Sequence, residues 1–172
     1  IDMALLDCQV GVLANQAANY LASGVSPRRM GNGHANVVPY QAFATADGQL
    51  VIAVGNDGQF RKLCVILGEP GWAGDARFAT NAARLANRGE LIPLLAAKIA
   101  TWEAQPLSLA LEAEGVPAGP INDLAGVFAD PQVQARGMRF RPEGASVAGP
   151  ASPLVTDGER MVAPNGAPPL VS

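Results

Sequence analysis

Tyr40-Gln41-Ala42-Phe43-Ala44-Thr45-Ala46-Asp47-Gly48-Gln49-Leu50-Val51-Ile52-Ala53-Val54 is the stretch that decides the fold class. An Asp-Gly pair between two apolar runs is a strong hairpin signal, so Tyr40–Ala46 and Leu50–Val54 are expected to pair as strands. The second run is apolar on both faces, which predicts a strand covered on both sides in the interior of the fold. Gly55-Asn56-Asp57-Gly58 follows. After it Phe60, Leu63, Cys64 and Leu67 stand at the i, i+3, i+4, i+7 spacing of a helix with one apolar face. Asn56 or Asp57 supplies the N-cap and Gly68 the C-terminal stop. A hairpin followed by helices is an α+β arrangement.

Further along, Glu69–Phe78 is turn-rich and anchored by Trp72 and Phe78. Helical pattern resumes over Asn81–Arg88 and over Leu91–Trp102. Pro93 conflicts with one unbroken helix, so a new helix is expected to start near Ile92. Leu107–Glu114 reads as a short helix closed by Gly115. Val116-Pro117-Ala118-Gly119-Pro120-Ile121 must be extended, because each proline disfavours helix at the residue before it. Asn122 or Asp123 then caps a helix carrying Leu124, Val127 and Phe128. Asp130-Pro131 opens another, which Gly137 closes. From Met138 on, recurring Gly and Pro predict strands and loops, and the Ala167–Ser172 end carries no helical pattern.

Before the hairpin, residues 1–22 read as one helix with Leu5, Val12 and Tyr20 near one stripe, widened by Leu6, Leu13 and Leu21. Asn15, Gln16 and Asn19 interrupt the stripe with amides. They give the helix either a plain polar face or a side packed against a polar cleft or a partner subunit. Residues 1–16 resemble the middle of a protein rather than a natural start, so the chain is expected to be a piece of a longer one. Ser23–Asn36 is a loop by composition, with Gly24, Pro27, Gly31 and Gly33, and it carries Arg28, Arg29 and His34.

The 172 residues are 49% apolar and 16% charged, with a net charge of −3, which excludes disorder for most of the chain. No basic stripe suggests nucleic acid. No apolar stretch is long enough to span a bilayer. A cytoplasmic location is expected, with Cys8 and Cys64 as reduced, buried thiols. No metal is expected, since no CxxC occurs and His34 is the only histidine.

By themselves the residues do not name a reaction. His34 is the only candidate base for a Ser–His–Asp or Cys–His system, and no nucleophile elbow accompanies it. Gly31-Asn32-Gly33 has neither the dinucleotide-binding spacing nor the Lys-Ser/Thr of a P-loop. Arg28 and Arg29 either contact an anionic ligand or are solvated on a flexible loop. The N–H groups of Gly55-Asn56-Asp57-Gly58 either face a carboxylate or phosphate or form a plain strand-to-helix turn.

Several segments together resemble family III CoA-transferases, the group of the formyl-CoA and carnitine-type enzymes. They are Ile1–Asp7, Arg29-Met30-Gly31-Asn32-Gly33-His34, Pro39–Phe43 with Thr45 and Asp47-Gly48, and Ala53-Val54-Gly55. Asp75–Phe78 with Asn81, Arg84 and Arg88 match the linker beyond. Gly115–Ile121 and Asp130-Pro131-Gln132-Val133 with Arg136-Gly137 are the most distinctive.

The resemblance implies a small α+β domain of that fold, with a hairpin and several short helices, preceded by a helix from a large Rossmann-like domain. Residues 1–24 would be the connecting helix, 25–138 the small domain, and 139–172 the start of an incomplete return segment. The family forms interlocked homodimers. In its mechanism an aspartate of the large domain attacks the acyl-CoA thioester, giving a mixed anhydride and then an aspartyl-CoA thioester that passes CoA to an acceptor acid. That aspartate lies upstream of this chain, and neither Asp2 nor Asp7 corresponds to it. Coenzyme A and its acyl esters are therefore substrates, with no covalently bound cofactor.

Gly31, Asn32, Gly33 and His34 match the loop that closes over the acyl end of the site in relatives. Asp57 lies near an acidic position that the related α-methylacyl-CoA racemases use to orient the active site. Three readings follow: part of a CoA-transferase, a racemase-like isomerase of the same fold, or a non-catalytic isolated domain.

Overall fold

The computed structural model describes residues 3–161, and Asp2 and the Ala167–Ser172 end lie outside them. The chain divides into two compact units, one through Ile121 and one from Asn122 on.

The hairpin forms as read. β1 (Tyr40–Ala44) pairs antiparallel with β2 (Gln49–Ala53), with Phe43 opposite Leu50 and Gln41 opposite Ile52. The connection is four residues, Thr45–Gly48, rather than a two-residue Asp-Gly turn. Asp47 instead reaches out of the turn to the backbone N–H of Ala104 at 2.8 Å. The extended proline segment supplies the third strand: β3 (Ala118–Pro120) pairs antiparallel with β2, which puts β2 in the centre. Leu50, Ile52 and Val54 are buried on the core side, while Val51 and Ala53 are only half-buried. The strand is thus fully covered on one face and partly on the other, short of the two-sided burial its composition predicts.

Four helices close the core side. α3 (Asp57–Ile66) buries Phe60, Leu63 and Cys64, with Leu67 just beyond, at the expected spacing. After a 3-10 turn at Pro70–Ala73 come α4 (Asn81–Ala86), α5 (Arg88–Ile99) and α6 (Ala104–Ala113). α5 runs through Pro93 instead of restarting at it. The proline forfeits one backbone bond and costs a helix interior about 3 kcal/mol. Leu91 before it and Leu95 and Ile99 after it are fully buried. Each contributes roughly 1.5–3 kcal/mol by leaving water, so packing outweighs the local penalty. α6 starts three residues earlier than its apolar pattern predicts and presents Leu107 and Leu111 to the core.

The leading segment departs from one continuous helix. It is α1 (Leu5–Gly11) followed by α2 (Ala14–Ser23), and neither buries a residue. Bonds tighten to i+3 spacing around the break, with Leu13 donating to Val10 and Gln16 to Leu13, and Ala14 takes φ 39°. Gly11 costs a helix about 1 kcal/mol relative to Ala. No buried contact offsets that loss here. Cys8, expected to be buried, is exposed on α1, whereas Cys64 is buried on α3 and both are free thiols.

In the second unit, α7 (Leu124–Ala129) is capped by Asp123, which accepts from the Gly126 N–H at 2.8 Å. α8 (Pro131–Ala135) is capped by Asp130, which accepts from Gln132 and Val133, with Pro131 in the first turn. Short pairs follow: β4 (Arg139–Phe140) with β5 (Gly149–Pro150), and β6 (Val155–Thr156) with β7 (Glu159–Arg160). No helix among the described residues is long and apolar enough to cross a membrane.

Candidate functional site

The glycine loop is built on the edge of β1. Gly31 has φ 61°, a left-handed conformation that favours glycine, and the turn it makes is closed by the Gly33 N–H donating to the Met30 carbonyl at 3.2 Å. The Asn32 side-chain oxygen accepts from the Ala42 N–H at 3.3 Å, pinning the turn to the strand. His34 donates its backbone N–H to the Tyr40 carbonyl at 2.9 Å and stacks its ring on Tyr40, with centroids 5.1 Å apart. Its Nδ1 accepts from the Asn36 N–H at 3.1 Å, so the neutral ring carries its hydrogen on Nε2.

Asp57 lies at the start of α3 but does not cap it. Asn56 does, accepting from the Gln59 N–H at 2.9 Å, while Gln59 Oε1 accepts from the Gly55 N–H at 2.7 Å. The turn therefore spends the Gly55 N–H on Gln59 and the Gln59 N–H on its own cap, the pattern of a strand-to-helix turn. Asp57, 41% exposed at its side chain, instead pairs with Arg84 at 2.9 Å.

Arg84 is the most informative side chain of the site. It is wholly buried in α4, and its guanidinium lies 4.4 Å from the centre of the Phe60 ring. Nε donates to the Val38 carbonyl at 2.7 Å, one terminal nitrogen to the Phe78 carbonyl at 3.0 Å, and the other to Asp57. A buried guanidinium costs several kcal/mol unless its donors are satisfied, and here all three nitrogens have acceptors.

Two neighbours hold the same stretch. Asn81 accepts from the Val38 N–H at 3.1 Å and donates to the Asn36 carbonyl at 2.9 Å. Arg88 donates to the His34 carbonyl. From the other side, Asn36 and Asn19 of α2 exchange a reciprocal pair of amide hydrogen bonds. Asn19 is thus the amide of the leading helix that meets a polar surface. Gln16, Asn19, Arg28, Arg29 and Asn36 line an open groove of about 710 Å³ beside α2.

Among the described residues no hydrogen bond joins Asp57 directly to Gly31, Asn32, Gly33 or His34. They meet through Arg84, whose guanidinium spans from Asp57 to the Val38 carbonyl, four residues past His34. Sequence reasoning placed Asn81, Arg84 and Arg88 in a linker. The spacing of Asn81 and Arg84, i and i+3, puts those two on one face of α4, while Arg88 opens α5 and no spacing rule ties it to them. No group of three or more His, Cys, Asp or Glu side chains among the described residues is placed to hold a metal.

The sequence model of CoA-transferase family III matches residues 1–171. The chain is 51% identical over 158 residues to a protein of Agrobacterium fabrum named succinate–glutarate CoA-transferase, covering 90% of this chain and 40% of that protein. It is 40% identical over 156 residues to human succinyl-CoA:glutarate CoA-transferase, covering 88% and 36% respectively. Among solved structures, a CAIB/BAIF family protein from Brucella suis superposes with TM-score 0.83 at 52% identity, over 99% of this chain and 44% of that one. The chain therefore spans about 40% of the length of the curated relatives it matches. With the match running through almost every residue and the same backbone path found in a half-identical structure, the chain belongs to CoA-transferase family III.

Proposed function

We propose that this chain works as part of an enzyme that moves CoA between dicarboxylic acids, with succinyl-CoA as donor and glutarate as acceptor. The observation that carries it is the 51% identity to a relative named for that pair of acids, over 90% of the chain. Relatives named as CoA-transferases favour transfer over racemisation. In this reading residues 1–24 connect to a large domain, 25–138 form the small domain and 139–172 begin the return. The nucleophilic aspartate belongs to the large domain, outside Ile1–Ser172. It forms the aspartyl intermediates while Gly31–His34 covers the acyl end and keeps water away. Asp57 supports that loop through Arg84. Substrates are an acyl-CoA and a free carboxylic acid, and the working unit is a homodimer in the cytoplasm.

The test is to incubate the full gene product with succinyl-CoA and glutarate, and to do the same with the 172-residue chain. Glutaryl-CoA and succinate should form in equal amounts with the first, and neither with the second. Absence of exchange by the full protein would overturn the dicarboxylate assignment. Turnover by the short chain would overturn the placement of the nucleophile.

A further inference from the structure

We propose that Asn81, Arg84 and Arg88 are positioning residues of the Gly31–His34 loop, gripping its exit so that the loop moves from its entry side alone. This rests on the reading of that loop as the cover of the acyl site.

The asymmetry is plain in the hydrogen bonds. On the exit side, His34, Asn36 and Val38 each have a backbone group held by a side chain of α4 or the start of α5. Arg88 holds the His34 carbonyl, Asn81 the Asn36 carbonyl and the Val38 N–H, and Arg84 the Val38 carbonyl. On the entry side the Val25 N–H donates to Ser23, and Ser26, Pro27, Arg28 and Arg29 make no hydrogen bond among the described residues. Arg84 is anchored beyond the loop, on the Phe78 carbonyl, the Phe60 ring and Asp57. It is therefore a fixed post, where an exposed arginine would be a mobile one. None of the three need touch substrate. Their effect on chemistry runs through how tightly the loop excludes water while the thioester is open to attack.

A cover that fits less well lets water take the acyl group. The acyl–sulfur bond breaks, a hydroxyl from water joins the acyl carbon, and the sulfur takes that water's remaining proton to leave as free CoA. The ratio of free CoA thiol to transferred CoA measures this directly, and a general loss of stability would not raise it.

The experiment uses the full-length protein with Arg88→Gln, Arg88→Lys and Asn81→Ala, and Arg84→Met as the severe variant. Hydrogen exchange at His34–Val38 is read beside the thiol-to-transfer ratio. Loss of one such hydrogen bond should speed exchange there about fivefold. It should also raise the ratio in Arg88→Gln and Asn81→Ala, with Arg88→Lys restoring part of the wild-type value. Unchanged exchange at His34–Val38 in Arg88→Gln and Asn81→Ala would overturn the proposal even if Arg84→Met fails to fold. Faster exchange with an unchanged ratio would reduce the three to structural contacts and overturn the positioning role. A wild-type protein that shows no transfer would instead defeat the assigned activity, while exchange still decides whether the grip exists.

Discussion

The buried and the exposed cysteine show how far a side chain's chemistry depends on where its element packs. Cys64 sits against the core of α3, and burial pushes its thiol up from 9.0 to about 11. The thiolate is the reactive form, so a two-unit rise leaves about 100-fold less of it at neutral pH. Alkylation of the folded chain near pH 8, followed by mass spectrometry, should modify Cys8 and leave Cys64 untouched. Because its folded pKa is raised, Cys64 contributes stability that is intact below pH 9 and lost as pH rises towards 11. Wild type should therefore lose stability over that window more steeply than Cys64→Ala, and parallel curves would contradict the burial. Both cysteines looked alike in the sequence, since each sits in an apolar helical pattern. Only the packing of one helix and not the other separates them.

At the scale of elements, Asp47 does what neither the hairpin nor α6 does alone. Its carboxylate accepts from the Ala104 N–H at the start of α6 and from the Thr45 hydroxyl, and these bonds hold it below the ordinary 3.8. A depressed carboxyl pKa stabilises the fold above the unfolded value and ceases to do so as pH falls through the folded one. Asp47→Asn should thus melt below wild type at neutral pH, with the gap closing below about pH 4. A gap constant with pH would mean the link is not ionic. The hairpin itself was legible, because Asp-Gly between apolar runs is a local signal. That Asp47 reaches out to a helix 57 residues away was not, because nothing in the turn encodes its distant partner. Pro93 teaches the same from the other side: the local rule breaks the helix, and the burial of Leu91, Leu95 and Ile99 keeps it whole.

Across the molecule, the apolar core draws on residues from Val38 to Val116. From Asn122 on, Ala151 is the one buried hydrophobic residue among those described. A domain that owns its core folds without its neighbours. Residues 1–121 alone should therefore keep a cooperative thermal transition by circular dichroism, and 122–172 alone should not show one. A shortened chain that melts without cooperativity would show that the second unit completes the first.

The sequence by itself determined the α+β class, the hairpin, the apolar face of α3, the cap at Asp130, and the family, because these depend on neighbours in the chain or on motif order, while the structure chose Asn56 over Asp57 and Asp123 over Asn122 as caps. It also marked Gly31–His34 and Asp57 as residues to examine. Only the tertiary structure decided that the proline segment Ala118–Pro120 becomes the third strand, that Cys8 faces out, and that Arg84 joins Asp57 to the end of the glycine loop. Those outcomes depend on which surfaces meet across 27 or more residues of chain, as Arg84 and Asp57 do. Burial and the need to satisfy every buried donor settle such meetings, and neither is a property of any local stretch.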